Sequence, residues 1–128
     1  MSKKPEEWFR QADYDMKTAE YLYKGGKYIY AVFMCHLAIE KALKALYQKN
    51  KNEIPPKVHN LVFLIEKMAL KIPDDLYDMV FNLNRISTPT RYPDDLKRMQ
   101  KDYNKMRTAG ILDKSKEILK WLKGQLKK

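Results

Sequence analysis

His36, Glu40 and Lys44 recur at intervals of four within Tyr28 to Lys49, a stretch that is otherwise almost wholly apolar. On a helix that spacing stacks the three side chains in one row. An imidazole titrates near neutrality and can act as a general base, while a neighbouring acid and amine can orient it or meet a charged ligand. The same row also reads as a satisfied polar group in a core, with Glu40 as the partner of His36. A second stretch, Arg85-Ile86-Ser87-Thr88-Pro89-Thr90-Arg91-Tyr92-Pro93-Asp94-Asp95, holds two of the chain's five arginines. Arginine grips a phosphate or carboxylate through two parallel hydrogen bonds, and a tyrosine beside it can stack on a base. The prolines predict a stiff loop presenting Arg91 and Tyr92. Read structurally, Arg91 caps a helix end or pairs with Asp94, and Tyr92 fills the end of a bundle.

Other chemistries find less support. Two histidines and one cysteine, with no His-Glu-x-x-His or Cys-x-x-Cys spacing, predict no metal site. The four glycines stand at Gly25-Gly26, Gly110 and Gly124, which leaves none for a phosphate-cradling loop. No cofactor is expected. His59, after Pro55-Pro56, is expected to make a local capping or packing contact. Asp15 falls at the edge of an apolar face, where it either looks toward the second helix or remains a surface acid.

The elements that must position these groups are helices. Pro5, Glu6 and Glu7 suit a helix start, and Trp8, Phe9, Ala12, Met16, Ala19 and Leu22 share one face up to Lys24. Gly25-Gly26 ends that helix and turns the chain into an antiparallel hairpin. The second helix, Tyr28 to Lys49, shows no polar face over its first three turns, so it is expected to be enclosed at the centre. Pro55-Pro56 lies in a loop. A third helix is expected from about His59 to Lys71, and a fourth from Asp74-Asp75 to Arg85 or Ile86, stopped by Pro89 and Pro93. A fifth runs from Tyr103 or Asn104 to Leu126, with Met106, Ala109, Leu112, Ile118, Leu119 and Leu122 inward. Its row Lys116, Lys120, Lys123 and Lys127 reads as the wet side. Gly110 inside this helix predicts close backbone packing or a helix start displaced toward Ile111. The expected fold class is all-α, a five-helix antiparallel bundle with a central, mostly buried helix 2, forming one domain over residues 1–128.

A 128-residue chain can bury a real core without staples. Its formal charge of +10, from 26 Lys plus Arg against 16 Asp plus Glu, suits a polyanionic partner. Scattered lysines equally describe a solvated coat. No apolar run has the length needed to span a bilayer, and Met1-Ser2-Lys3-Lys4-Pro5 leads into a polar amphipathic segment instead of a signal core. No membrane association and a cytoplasmic location are therefore expected. The lone Cys35, within an apolar run, fits a reducing compartment and a core role.

Over nearly its whole length the sequence resembles the HEPN domain family. The residues that carry the likeness are Trp8, Ala12, Asp15 and Ala19, then His36-Leu37-Ala38-Ile39-Glu40-Lys41-Ala42-Leu43-Lys44-Ala45-Leu46, His59-Asn60-Leu61, and Thr90-Arg91-Tyr92-Pro93-Asp94. The resemblance implies a bundle that forms a homodimer, often beside a minimal nucleotidyltransferase in a toxin–antitoxin pair, and binds a nucleotide or RNA. Many members are metal-independent ribonucleases marked by an arginine followed four to six residues later by a histidine. Here the sixth residue after Arg85 is Arg91, and no histidine follows Arg85 at all. Arginine stays protonated and cannot be a general base.

The resulting expectation is a phosphate-binding groove between helix 2 and the Arg91 loop, lined by Asp15, Glu40, Lys44, Arg91, Tyr92 and Asp94. The enzymatic alternative keeps ribonuclease activity, with His36 as base and Arg85 and Arg91 stabilising the phosphate. A third reading makes the polar row architectural and the protein a partner-binding module.

Overall fold

The computed structural model describes residues 4–128, apart from the side chain of Arg91. Six helices and no strand occur among the described residues: α1 (Pro5–Lys24), α2 (Tyr28–Lys51), α3 (Leu61–Met68), α4 (Asp74–Arg91), α5 (Leu96–Asp102) and α6 (Lys105–Leu126). The all-α class holds, with one helix more than the five expected. Among the described residues, no helix is long and apolar enough to cross a membrane.

Pro5 in the first turn, followed by Glu6 and Glu7, starts α1, and its inward face is Phe9, Ala12, Met16 and Ala19. Gly26, at φ 78°, makes the left-handed step that an L side chain resists. Its amide donates to Tyr23 O, and the amide of Lys27 donates to Leu22 O, which closes the turn and lays α2 antiparallel to α1. Every other helix packs against α2. Ala38, Ile39, Ala42, Leu43, Ala45 and Leu46 are fully enclosed. The beginning of α2 is less covered than its apolar sequence predicts: Tyr30 is 51 % exposed. Only the later turns meet neighbours on all sides.

α4 departs most from expectation. It passes through Pro89 and ends at Arg91 instead of at Arg85 or Ile86. Pro89 removes the hydrogen bond to the Arg85 carbonyl, but Arg85 and Pro89 both lie on the exposed side, where water can satisfy that oxygen. On the inner side Ile86 and Thr90 are buried. The Thr90 hydroxyl donates to Ile86 O at 2.9 Å, and the amide of Tyr92 donates to Thr88 O. Burial of that inner row outweighs the proline, so the stiff loop shrinks to residues 92–95.

α5 was not legible in the sequence. Asp95 caps it by accepting from Arg98 N, yet it has no buried residue of its own. In α6 the inward face is Thr108, Ile111, Leu112, Ser115, Ile118, Leu119 and Leu122. Met106, expected inside, is 85 % exposed. Asn104 caps this helix through Arg107 N, so Gly110 lies in its second turn, and a Cβ there would meet nothing within 4 Å. Neither close packing nor a displaced helix start accounts for that glycine. The lysine row is not simply wet: Lys116 pairs with Glu20 at 3.5 Å, and Lys123 with Asp13, tying α6 to α1.

Candidate functional site

The row His36, Glu40 and Lys44 lies inside the protein, at 0 %, 3 % and 7 % exposure. A buried carboxylate must be paired, and Glu40 is paired twice. Lys44 Nζ donates to its Oε2 at 3.0 Å. His59 Nδ1 lies 3.0 Å from Oε1 and 3.2 Å from Oε2. The partner of Glu40 is thus His59, not His36, which corrects both histidine expectations. His36 Nε2 instead lies 3.1 Å from the backbone oxygen of His59. A carbonyl oxygen only accepts, so His36 Nε2 carries a proton. Helix α2 therefore holds His59 by its main chain and by its ring.

The chain reaches this point by running back along α2. Asn52, in the left-handed conformation at φ 53°, ends the helix, and Tyr47 Oη donates to Glu53 at 3.1 Å, which starts the return. Twelve residues of helix from Glu40 to Asn52 rise roughly 18 Å. Seven extended residues from Asn52 to His59 span up to roughly 23–25 Å, enough to come back level with Glu40. Pro55-Pro56 keeps that segment extended.

α3 and α4 then fix His59 from the other side. Asn60 caps α3, its Oδ1 accepting from Phe63 N at 3.0 Å. Asn84 of α4 clasps the same corner, accepting from Leu61 N at 2.7 Å and donating to Asn60 Oδ1 at 3.1 Å. His59 itself keeps 63 % of its side chain exposed. With Nδ1–H on a carboxylate, its other nitrogen Nε2 has no hydrogen-bond partner among the described residues, on a side chain that is mostly exposed. A carboxylate that fixes one ring nitrogen and leaves the other free is the arrangement by which acid–base histidines are oriented.

The row has a fourth member, Gln48, whose Oε1 accepts from Trp8 Nε1 at 2.9 Å, and Lys44 Nζ stands 5.9 Å from the Trp8 ring centroid. Asp15 does look toward α2, but its partner is Lys41, at 2.8 Å, one position round from the Glu40 row. Arg85 is exposed on α4, where Nη2 donates to Asn82 at 3.0 Å. Tyr92 is 70 % exposed, and Asp94 is exposed. The expected roles of the Arg91 side chain fall outside the described residues. Its backbone position is seven residues beyond Asn84, two turns along the same row of α4.

Cys35 is inert by position: burial pushes its thiol up to about 12, with the Ser115 hydroxyl beside it pulling weakly the other way. Among the described residues, no group of three or more His, Cys, Asp and Glu is placed to hold a metal ion. The sequence assigned His59 only a local capping or packing contact, because its bond to Glu40 joins an exposed loop to a buried helix. The signals that could have found it were the double proline and the Asn60 cap, which together aim the chain back at α2.

The described fold is an all-α helical bundle arranged around α2. The model of the HEPN domain matches residues 5–125, and the chain belongs to that family. Its fold is shared by TT1696 from Thermus thermophilus, at TM-score 0.79 and 24 % identity, with 94 % of this chain and 96 % of that one covered. It is also similar to ST0689, an archaeal HEPN homologue, at TM-score 0.76 and 29 % identity, with 96 % and 98 % covered. No curated protein matches the sequence.

Proposed function

We propose that this HEPN protein binds RNA through a backbone phosphate at the face where His59 emerges, between α2 and the outer end of α4. The observation that carries this reading is the Glu40–His59 pair. It presents an oriented imidazole at the surface, on a chain whose formal charge of +10 favours a polyanion. Arg85 and Arg91 on α4 add positive charge, and the exposed Tyr92 and Asp94 just beyond it complete the candidate set, whereas Lys44 and Asp15 are buried in ion pairs with Glu40 and Lys41. Phe63 and Phe81, 41 % and 53 % exposed, lie on α3 and α4 within a turn of the Asn60–Asn84 clasp. They give a second copy of the chain an apolar surface to cover, so the working form is a homodimer. A minimal nucleotidyltransferase is the heterologous partner that the family suggests.

The orientation of His59 favours a second reading, RNA cleavage without metal. His59 Nε2 would take the proton of a ribose 2′-hydroxyl, whose oxygen attacks the adjacent phosphorus. The 5′-oxygen then leaves with a proton from solvent, and a 2′,3′-cyclic phosphate remains. His59 replaces His36 as the base in this scheme because the proton on His36 Nε2 is committed to a carbonyl.

The test is binding and cleavage of short labelled RNAs in excess chelator, comparing wild type with His59→Ala and Arg85→Ala. Binding that weakens in both variants supports the phosphate site, and cleavage lost in His59→Ala alone adds the catalytic reading. Equal binding by all three proteins refutes the site.

A further inference from the structure

A separate recess of about 370 Å³ lies at the opposite end of α2, between the α1–α2 turn and α5. Ile29 in its wall is eleven residues from Glu40, roughly 16 Å along the helix axis, so this is not the His59 site. Its size falls in the range of small-molecule pockets, near the lower end. Lys27, Tyr28 and Tyr30 line it from the start of α2, and Leu96, Gln100 and Tyr103 from α5 and its end.

The charges in the wall have one sign. Among the described residues that line it, Lys27 is the only ionic side chain and none is a carboxylate. The start of α2 has no side-chain cap and no acid in its first turn. The amides that open a 24-residue helix therefore keep their donor capacity and the positive end of its dipole. A second observation points independently to a ligand. Tyr103, which lines the recess, is only 4 % exposed; its hydroxyl makes no hydrogen bond to any described residue, and its oxygen is not among the enclosed polar atoms, so it opens to solvent. A phenol hydroxyl ordinarily finds a partner, and a donor left open at the wall of this recess is free to bond an acceptor bound there. Tyr30 and Leu96, 51 % and 54 % exposed, offer flat apolar surface at the same place.

We propose that this recess binds a small organic anion built on a planar ring, a carboxylate or a phosphate monoester. Its acid group sits at the start of α2 near Lys27 and accepts a hydrogen bond from Tyr103, while its ring covers Tyr30 and Leu96. The acid matches the donors, and the ring matches the walls. A bare inorganic anion would leave the apolar walls uncovered, and a neutral ring would leave the donors unmatched.

Titration calorimetry on the full chain tests this with phenyl phosphate, benzoate, benzyl alcohol and inorganic phosphate. At least one ring acid should bind more tightly than both benzyl alcohol and inorganic phosphate, and the better of the two identifies the acid group. Tyr103→Phe removes only the hydroxyl and should weaken that binding about tenfold. Lys27→Gln, at an exposed position, should weaken it with no effect on the fold, and His59→Ala should leave it unchanged. Benzyl alcohol binding as tightly as the acids, wild-type affinity in both Tyr103→Phe and Lys27→Gln, or no saturable binding of either ring acid would overturn the proposal.

Discussion

Glu40, buried on α2, holds His59 by its ring at 3.0 Å, although the histidine lies beyond the end of that helix and keeps most of its side chain in solvent. The pair separates stability from function. Glu40→Gln leaves the Lys44 ammonium buried at 7 % exposure without its anion, a change that costs about 3–5 kcal/mol. His59→Ala removes an exposed ring and leaves the Glu40–Lys44 pair intact, and should cost less than about 1 kcal/mol. Chemical denaturation of the two variants measures the contrast. Equal losses would show that the histidine is a structural partner of Glu40.

Gly110 lies within α6, at an exposed position with room for a methyl group. Gly110→Ala should therefore stabilise the protein by about 1 kcal/mol, by reducing the backbone freedom of the unfolded chain. A rise in the thermal midpoint checks this. A fall would mean that the residue serves a contact outside the single chain.

Cys35 gives a pH dependence whose sign follows from burial. Its thiol is pushed from 9.0 to about 12 in the fold. Between those values the unfolded chain has lost the proton and the folded chain has kept it, so stability falls as pH rises from about 9 toward 12. The slope from this one group is at most about 1.4 kcal/mol per pH unit. Cys35→Ala should flatten the alkaline limb of the stability profile by up to that amount relative to wild type, a comparison that cancels the titrating lysines and tyrosines. Parallel profiles for the two proteins would refute the assignment.

Much of the fold was legible in the sequence because local signals agreed with the packing. Pro5 and Gly25-Gly26 bound α1 as expected, and Leu126 ends α6. The errors arose where packing overrode a local rule or left no periodic trace. Buried Ile86 and Thr90 carry α4 through Pro89, and α5 forms with no buried residue to announce it. The site was half legible. Spacing of four showed that His36, Glu40 and Lys44 share a row. It could not show that the loop after α2 folds back far enough to put His59 on that row, because that depends on the path of a segment with no periodicity.

On the proposed function, Glu40 fixes the ring of His59 so that Nε2 meets RNA. The ring-nitrogen chemical shifts of His59, followed by NMR as a short RNA is added, measure it most directly. In the neutral ring, Nδ1 should carry the proton and Nε2 should not, and the Nε2 resonance should move as RNA binds while Nδ1 stays bonded to Glu40. A proton on Nε2 in the neutral ring, or His59 resonances unchanged at saturating RNA, would contradict the account.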